Sequence, residues 1–165
     1  MAKKSLSRDA KGQAAVGMSF EFGGQTYFDN YTNLAIQDGD EVNPERLRVL
    51  LSQVPGRYSY WGGVLAEISQ TLRQTQDAFD MWIAAKYAEQ KKEKGDQKYV
   101  SEKSKMYELM VTYPKAYAEK TNEIRALETA KEKAEVLVKS YDMQSRTLQS
   151  VASLVRAELG IMGQA

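Results

Sequence analysis

The residues with the most distinctive chemistry in this chain lie between Lys86 and Met106, where seven lysines occur with four acids. Lysine ammonium groups neutralise phosphates, and tyrosine rings beside them stack on unpaired bases. The stretch is also typical of a solvated turn between two helices, because lysine and glutamate are ordinary surface residues. The sequence therefore allows either a solvated turn or a surface that binds a single nucleic-acid strand. The candidate contact residues for such a strand are Lys86, Tyr87, Lys91, Lys92, Lys94, Lys98, Lys103 and Lys105.

The composition argues against an enzyme. The 165 residues include no histidine and no cysteine, which removes the commonest general base and the thiolate nucleophile. The acids interleave with lysines, as in residues 131–135, and that pattern is typical of a solvated helix face. Gly23-Gly24 lacks the following lysine and hydroxyl residue of a phosphate-binding loop. We therefore expect a non-enzymatic protein without catalytic residues, a cofactor or a metal site.

Charge is segregated along the chain, although the net charge is only +1. Residues 1–15 are basic, whereas residues 16–45 hold six acids and no lysine or arginine. Such segregation is typical of a chain that meets different partners at different places. The sequence has no apolar run near the roughly 18 residues of a membrane span, and no apolar signal-peptide core. We expect a cytoplasmic protein that does not bind a membrane.

The first 42 residues predict two short segments. Residues 1–15 are small, polar and basic, and the sequence predicts a disordered tail there. Residues 16–42 form an acidic segment with a β-hairpin, because apolar residues alternate up to Phe22 and Gly23-Gly24 then supplies a tight turn before Gln25. A lone hairpin is marginally stable in water, so it must dock on another element. The alternating residues are Val16, Met18, Phe20 and Phe22.

Residues 43–165 predict a helical domain for oligomerisation and DNA binding. Asn43 can cap a first helix that starts at Pro44, and Pro55-Gly56 predicts its end. A heptad seam follows and predicts a long helix that ends before Gly95. Gly62-Gly63 lies inside this helix and predicts a kink or a close helix crossing, since each glycine costs about 1 kcal/mol relative to alanine. The seam consists of Tyr58, Trp61, Leu65, Ile68, Leu72, Thr75, Phe79 and Trp82.

The second half of the chain predicts a matching helix. Ser101 can cap it, Pro114 should kink or restart it, and Gly160 predicts its end. Its apolar residues are Met106, Leu109, Met110, Tyr117, Ile124, Leu127, Ala134, Leu137, Tyr141, Leu148, Val151 and Val155. The Met and aromatic residues on both seams, Met143 among them, are expected in the core rather than at a cofactor.

The predicted fold is therefore mainly α, a long antiparallel helical hairpin or coiled coil with a short N-terminal β-hairpin. A two-helix seam buries little surface per residue, so we expect other copies of the chain to cover it in a homo-oligomer. If the oligomer is a ring, every copy repeats the lysine-rich turn, and weak phosphate contacts add up through multivalency.

Three short motifs carry a resemblance to a known family. Tyr58-Ser59-Tyr60-Trp61 begins the first long helix, and Glu102-Lys103-Ser104-Lys105-Met106 begins the second half of the chain. Arg156, Glu158 and Gly160 close it. In this order and spacing, residues 56–160 resemble the UvsY-like family of phage recombination mediators. Residues 1–55 lie outside the resemblance.

The resemblance implies a helical protein that assembles into a closed ring and binds single-stranded DNA without enzymatic activity. The implied partners are single-stranded DNA, single-strand-binding protein, a phage or host recombinase and further copies of the chain, all in the host cell cytoplasm. The family's basic DNA-contacting positions match Ala84 and Lys86 here, and only Lys86 keeps the basic character. The lysines at 91, 92 and 94 are the candidates to replace the lost charge.

A second function fits the same helical pattern. The chain could be a non-enzymatic structural or assembly protein of a phage particle, in which the lysine-rich turn is only solvated. Both functions predict self-assembly, so oligomeric state does not separate them. Salt-sensitive binding of single strands does, because phosphate contacts release counterions.

Overall fold

A computed structural model describes residues 7–8, 14–15, 17–30, 44–94 and 101–162. The described part of the chain is mainly helical and carries a short antiparallel β-hairpin near its N-terminus, so this part of the predicted fold class is confirmed. None of its helices has an apolar stretch long enough to cross a lipid bilayer. The elements are β1 (Ser7–Arg8), β2 (Ala14–Ala15), β3 (Met18–Phe22), β4 (Gln25–Asp29), α1 (Pro44–Lys94), α2 (Glu102–Thr112) and α3 (Pro114–Met162).

Two of the strands lie where the sequence predicts a disordered tail. Strand β1 pairs antiparallel with β2, with Ser7 opposite Ala15 and Arg8 opposite Ala14. These four residues therefore have a paired backbone. The other residues of 1–16 lie outside the described part of the chain.

The predicted β-hairpin is formed by β3 and β4. Met18 pairs with Asp29 at its open end, and Phe22 pairs with Gln25 beside the turn. Gly23 and Gly24 have φ angles of 58° and 74°, a left-handed backbone that residues with a Cβ adopt only at a steric cost. The two-glycine turn is confirmed, since consecutive positive φ angles match the right-handed twist of the flanking strands.

Helix α1 does not end at Pro55-Gly56, and that prediction is wrong. The helix runs without interruption from Pro44 to Lys94 and contains Pro55. Proline removes one backbone hydrogen bond and disfavours a helix interior. However, Leu47, Leu50, Val54 and Trp61 are all buried at helical spacings of 3, 4 and 7 residues. This apolar stripe spans the proline, so burial of the stripe outweighs the local cost.

Gly62 and Gly63 also lie inside the continuous helix α1. A Cβ added at either position would meet nothing within 4 Å. No part of the described chain therefore requires a glycine there, and the predicted close helix crossing is wrong within a single copy.

The boundaries around Pro114 follow the prediction, whereas the C-terminal one does not. The Ser101 side chain accepts a hydrogen bond from the backbone N–H of Ser104 at 3.3 Å, which confirms the cap of α2. Helix α2 ends at Thr112 and α3 restarts at Pro114. Helix α3 continues through Gly160 to Met162, so the predicted end at Gly160 is wrong. Glycine permits a left-handed end to a helix but does not impose one.

The helices pack in two compact units. The terminal unit comprises Met1–Ala66 and Glu132–Ala165, and the central unit comprises Glu67–Lys131. Part of each predicted seam is buried, with Ile68 and Leu72 in the central unit and Leu137 and Leu148 in the terminal unit, whereas Tyr58 of the first seam is 42% exposed.

Three methionines expected in the core are exposed instead. Leu109 of α2 is fully buried, whereas its neighbours Met106 and Met110 are 40% and 42% exposed. Met143 of α3 is 67% exposed. A helix of 11 residues that packs through one side buries a single stripe, and Leu109 alone occupies that stripe in α2.

Aromatic stacking docks the β-hairpin onto α1 in the terminal unit. The Phe20 ring lies 5.3 Å from that of Tyr27 in a stacked arrangement. Trp61 of α1 lies 5.9 Å from Phe20 and 6.2 Å from Tyr27. Phe20 and Trp61 are 5% and 1% exposed, so these rings form the interface that the hairpin needs for stability.

A buried carboxylate completes this interface. Asp29 is only 6% exposed and accepts a hydrogen bond from the indole Nε1 of Trp61. The same carboxylate oxygen lies 3.7 Å from Nη1 of Arg57. From α3, Lys133 Nζ donates to the Ser19 carbonyl at 2.9 Å. A buried charge is tolerated when it is paired and hydrogen-bonded, and these contacts join the hairpin to both helices.

Tyr141 of α3 is a third polar group near Asp29. Its side chain is fully buried. Burial, and secondarily the Asp29 carboxylate, raise the pKa of the Tyr141 phenol well above its ordinary value of 10.0. The neutral phenol is therefore the form that the folded protein stabilises.

Alanine substitutions at two glycines should have opposite effects on stability. Gly24→Ala should lower the free energy of unfolding by about 1 kcal/mol because of its left-handed backbone. Gly63→Ala should raise it by up to about 1 kcal/mol, since helical alanine is favoured and the space is open. Urea unfolding followed by circular dichroism measures both. A loss of stability or of assembly in Gly63→Ala would show that another copy packs against this glycine.

The stability of the folded protein should decline above pH 10 in a way that depends on Tyr141. A pKa raised by folding means that the unfolded chain loses the proton first, so the Tyr141 contribution is intact below about pH 10 and is lost as pH rises further. Urea unfolding at pH 8 to 11 should show a steeper decline for the wild type than for Tyr141→Phe. Tyr107→Phe, which removes a phenol that is 66% exposed, is the control. Parallel declines in the wild type and Tyr141→Phe would contradict the assignment.

Candidate nucleic-acid interface

The predicted lysine cluster is assembled from the end of α1 and the start of α2, in the central unit. Successive contacts pair Phe79 with Tyr117, Trp82 with Tyr113 and Tyr87 with Lys105. Because the partner number falls as α1 advances, α1 runs antiparallel to α2 and the start of α3. The lysines that follow Tyr87 on α1 and those that open α2 therefore lie at the same end of this helix pair.

Four aromatic rings hold this end of α1 in place. Phe79 and Trp82 stack at 6.0 Å with an interplanar angle of 13°. The Tyr117 ring lies 5.4 Å from Phe79, and the Tyr113 ring lies 6.1 Å from Trp82, both nearly edge-on. Lys120 Nζ sits 5.9 Å from the centre of the Trp82 ring. Offset and edge-to-face contacts of this kind stabilise aromatic packing. They hold the end of α1 against the α2–α3 junction, and the nearby lysines are carried by these packed segments.

Lys86 is already engaged by its own surroundings. Its Nζ donates to Oε2 of Glu89 at 2.6 Å and lies 5.4 Å from the centre of the Tyr113 ring. The hydrogen bond to Glu89 raises the pKa of the ammonium, which stays charged. A phosphate that binds Lys86 must therefore compete with the Glu89 carboxylate.

Tyr87 is half-buried, and one face of its ring is occupied. Lys105 Nζ lies 4.7 Å from the ring centre, within the range of a cation–π contact. A base could stack on that face only after displacing Lys105. Tyr87 therefore positions Lys105 in this arrangement.

The other predicted contact residues differ in how far the structure places them. Lys91, Lys92 and Lys103 are exposed on the helix surfaces. Lys94 is the last residue of α1, but its side chain lies outside the described part, and Lys98 lies wholly outside it. Ala84, which is exposed on α1, adds no charge.

Sequence reasoning missed Glu89 and Tyr113 as members of this cluster. Glu89 carried a usable signal, because a side chain three residues from Lys86 on a helix lies beside it. Tyr113 carried no comparable local signal. Its contact with Lys86 depends on how α1 packs on the α2–α3 junction, which no local pattern specifies.

The central unit also contains a buried amide. Gln90 is 6% exposed, and its Oε1 finds no hydrogen-bond partner within the described residues. In the ranges whose side chains are described, no three potential metal ligands come together.

Comparisons with protein-family models, with curated proteins and with solved structures find no match to this chain.

If this cluster binds single-stranded DNA, Glu89→Gln should strengthen that binding. The substitution removes the charge that competes for Lys86 and keeps the side-chain shape, so a phosphate contact becomes more favourable. Fluorescence anisotropy of a labelled thymidine oligonucleotide measures the dissociation constant. Asp142→Asn is the matched control, since it removes a carboxylate that pairs with Arg146 at 2.9 Å in the terminal unit. Equal affinities for wild type and Glu89→Gln would show that Lys86 does not contact the strand.

Proposed function

We propose that this protein is a phage-type recombination mediator that binds single-stranded DNA and helps to load a recombinase in place of single-strand-binding protein. The observation that carries the proposal is the contact of Lys105 of α2 with Tyr87 of α1, which puts the lysines of both helices at the same end of this helix pair. Lys92, five residues after Tyr87, and Lys103, two residues before Lys105, are both exposed. The motif resemblance over residues 56–160 supplies the mediator role.

The binding mechanism is electrostatic. Each lysine that contacts a phosphate releases condensed counterions, and this gives affinity with little sequence preference. The lysines stand on two helices held together by aromatic packing, so less conformational freedom is lost on binding than on a flexible tail. Lys86 and Lys105 lie over the Tyr113 and Tyr87 rings, which restricts their ammonium groups further.

Self-association is the second part of the proposal. On α2, Tyr107 and Val111 are 66% and 63% exposed, next to the half-exposed Met106 and Met110. Side chains at spacings of three and four share one helix face, so these four form a contiguous apolar surface. Contiguous apolar surfaces of this kind mark interaction sites, and further copies of the chain are the proposed occupants. A closed ring would repeat the lysine cluster and bind one strand by avidity.

Mediation then follows from competition for the strand. DNA held on the lysine clusters is less available to single-strand-binding protein, and a recombinase can take over the displaced segment. No nucleotide hydrolysis by the mediator is needed. The mediator changes which protein occupies the strand through relative affinity alone.

Salt-dependent anisotropy tests the proposal. Wild type should bind a labelled single strand in preference to duplex, with an affinity that falls as salt rises. In Lys92→Gln/Lys103→Gln the log–log salt slope should shrink by about 1.4 per bound cluster, at roughly 0.7 per lost phosphate contact. Arg125→Gln/Lys139→Gln is the matched control, because both side chains are exposed and the charge change is equal.

The rival function predicts a different result. If the protein is a structural or assembly protein of a phage particle, the lysines are solvated and the wild type should not bind single strands even at low salt. Equal slopes in the test variant and the control variant would also contradict a specific role for the cluster, since any two cations would then serve.

A further inference from the structure

A groove on the terminal unit carries a second set of groups suited to nucleic acid. Its volume is about 460 Å³, within the roughly 300–1,000 Å³ typical of small-molecule sites. Strand β4 forms one wall and α1 the other. The lining residues are Gln25, Thr26, Tyr27, Phe28, Arg57, Tyr60 and Trp61.

One aromatic ring of the groove is open to a ligand. Tyr60 is 52% exposed, whereas the Phe28 ring packs over Gly17 on the face of β4 opposite to Tyr27 and Asp29, which contact Trp61 of α1. Trp61 is only 1% exposed. Its ring centre lies 5.1 Å from that of Tyr60 in an edge-on contact. Partly exposed rings on a rigid base are what a planar base stacks on, and every base has a π-face.

Arg57 determines the charge that the groove accepts. Its side chain is 54% exposed, and Nη1 lies 3.7 Å from the buried Asp29 carboxylate. A guanidinium has five N–H donors, so one ion pair leaves others directed to solvent. Aromatic rings alone would also suit an organic cation, but a cation beside Arg57 is repelled. A flat ring that carries an anion fits both features.

We propose that this groove binds one nucleotide of a single-stranded DNA, with the base stacked on Tyr60 and the phosphate at Arg57. The Gln25 amide, on the same face of β4 as Tyr27, supplies a donor and an acceptor for the edge of the base. The inference rests on the proposed function for its ligand, and it adds a base-dependent contact to the charge-dependent one at the lysine cluster. Tyr60 is the main positioning group for the base.

The first test separates bases from phosphates. A labelled thymidine oligonucleotide and an abasic strand of equal length present the same phosphates, and only the first can stack. Tyr60→Ala should weaken thymidine binding about tenfold, in line with the stacking energy of one base, and leave abasic binding unchanged. Tyr58→Ala is the matched control, since Tyr58 is 42% exposed on the same helix but does not line the groove. Thermal unfolding checks that all variants fold.

A second probe reports on the groove through the difference between wild type and Tyr60→Ala, because Trp82 of the central unit also fluoresces and is present in every variant. Thymidine monophosphate should change the tryptophan fluorescence of wild type and Tyr58→Ala but not that of Tyr60→Ala, because Trp61 lies in the groove wall. If the strand binds with an affinity that neither Tyr60→Ala nor removal of the bases changes, the groove does not bind a base, while the proposed function stands. If only the monophosphate responds, the groove binds a nucleotide and the strand-binding function fails. A response to a proline-rich peptide, with none to either nucleotide probe, would overturn the inference in favour of a peptide groove.

Discussion

The packing of the β-hairpin depends on the Asp29 carboxylate, a charge that is almost wholly removed from water. Trp61 and Arg57 of α1 both interact with it, and Tyr141 of α3 lies close to it. Removing one partner of a buried charge is strongly destabilising, on the order of 3–5 kcal/mol, since the remaining charge is left without compensation. This constraint sets where the hairpin docks. It also gives Arg57 a defined position at the mouth of the aromatic groove.

In the central unit, Lys86 of α1 lies over the Tyr113 ring and Lys105 of α2 lies over the Tyr87 ring, so lysines of two packed segments share one end of the unit. Lysines from two helices would repel one another if their positions rested on charge alone. The Phe79, Trp82, Tyr113 and Tyr117 rings supply apolar contacts that offset the repulsion. Glu89 neutralises part of it at Lys86. The same carboxylate would weaken a phosphate contact at Lys86. The charge of Glu89 therefore stabilises the folded cluster but opposes the proposed binding.

Single-strand binding by two kinds of contact would have a simple physical advantage. The affinity that comes from lysine–phosphate contacts falls steeply as the salt concentration rises, whereas the affinity that comes from base stacking depends on salt much less. A protein that combines them keeps part of its affinity at physiological ionic strength. Self-association through the exposed apolar face of α2, as proposed, would repeat both contacts along one strand.

Periodicity and turn chemistry determined much of the fold from the sequence alone. The two-glycine hairpin, the Ser101 cap, the restart at Pro114 and the buried seam through Ile68 and Leu137 all follow from local rules that hold wherever the residues occur. The lysines and their spacing were equally evident. Only the tertiary structure decided the rest. Pro55 stays helical because Val54 and Trp61 are buried on either side of it, and Asp29 is buried because Trp61 and Arg57 meet it there. Tyr60 lines a groove while Tyr58 does not, since the outcome depends on which residues distant in the chain lie beside each ring, and a local pattern does not contain that information.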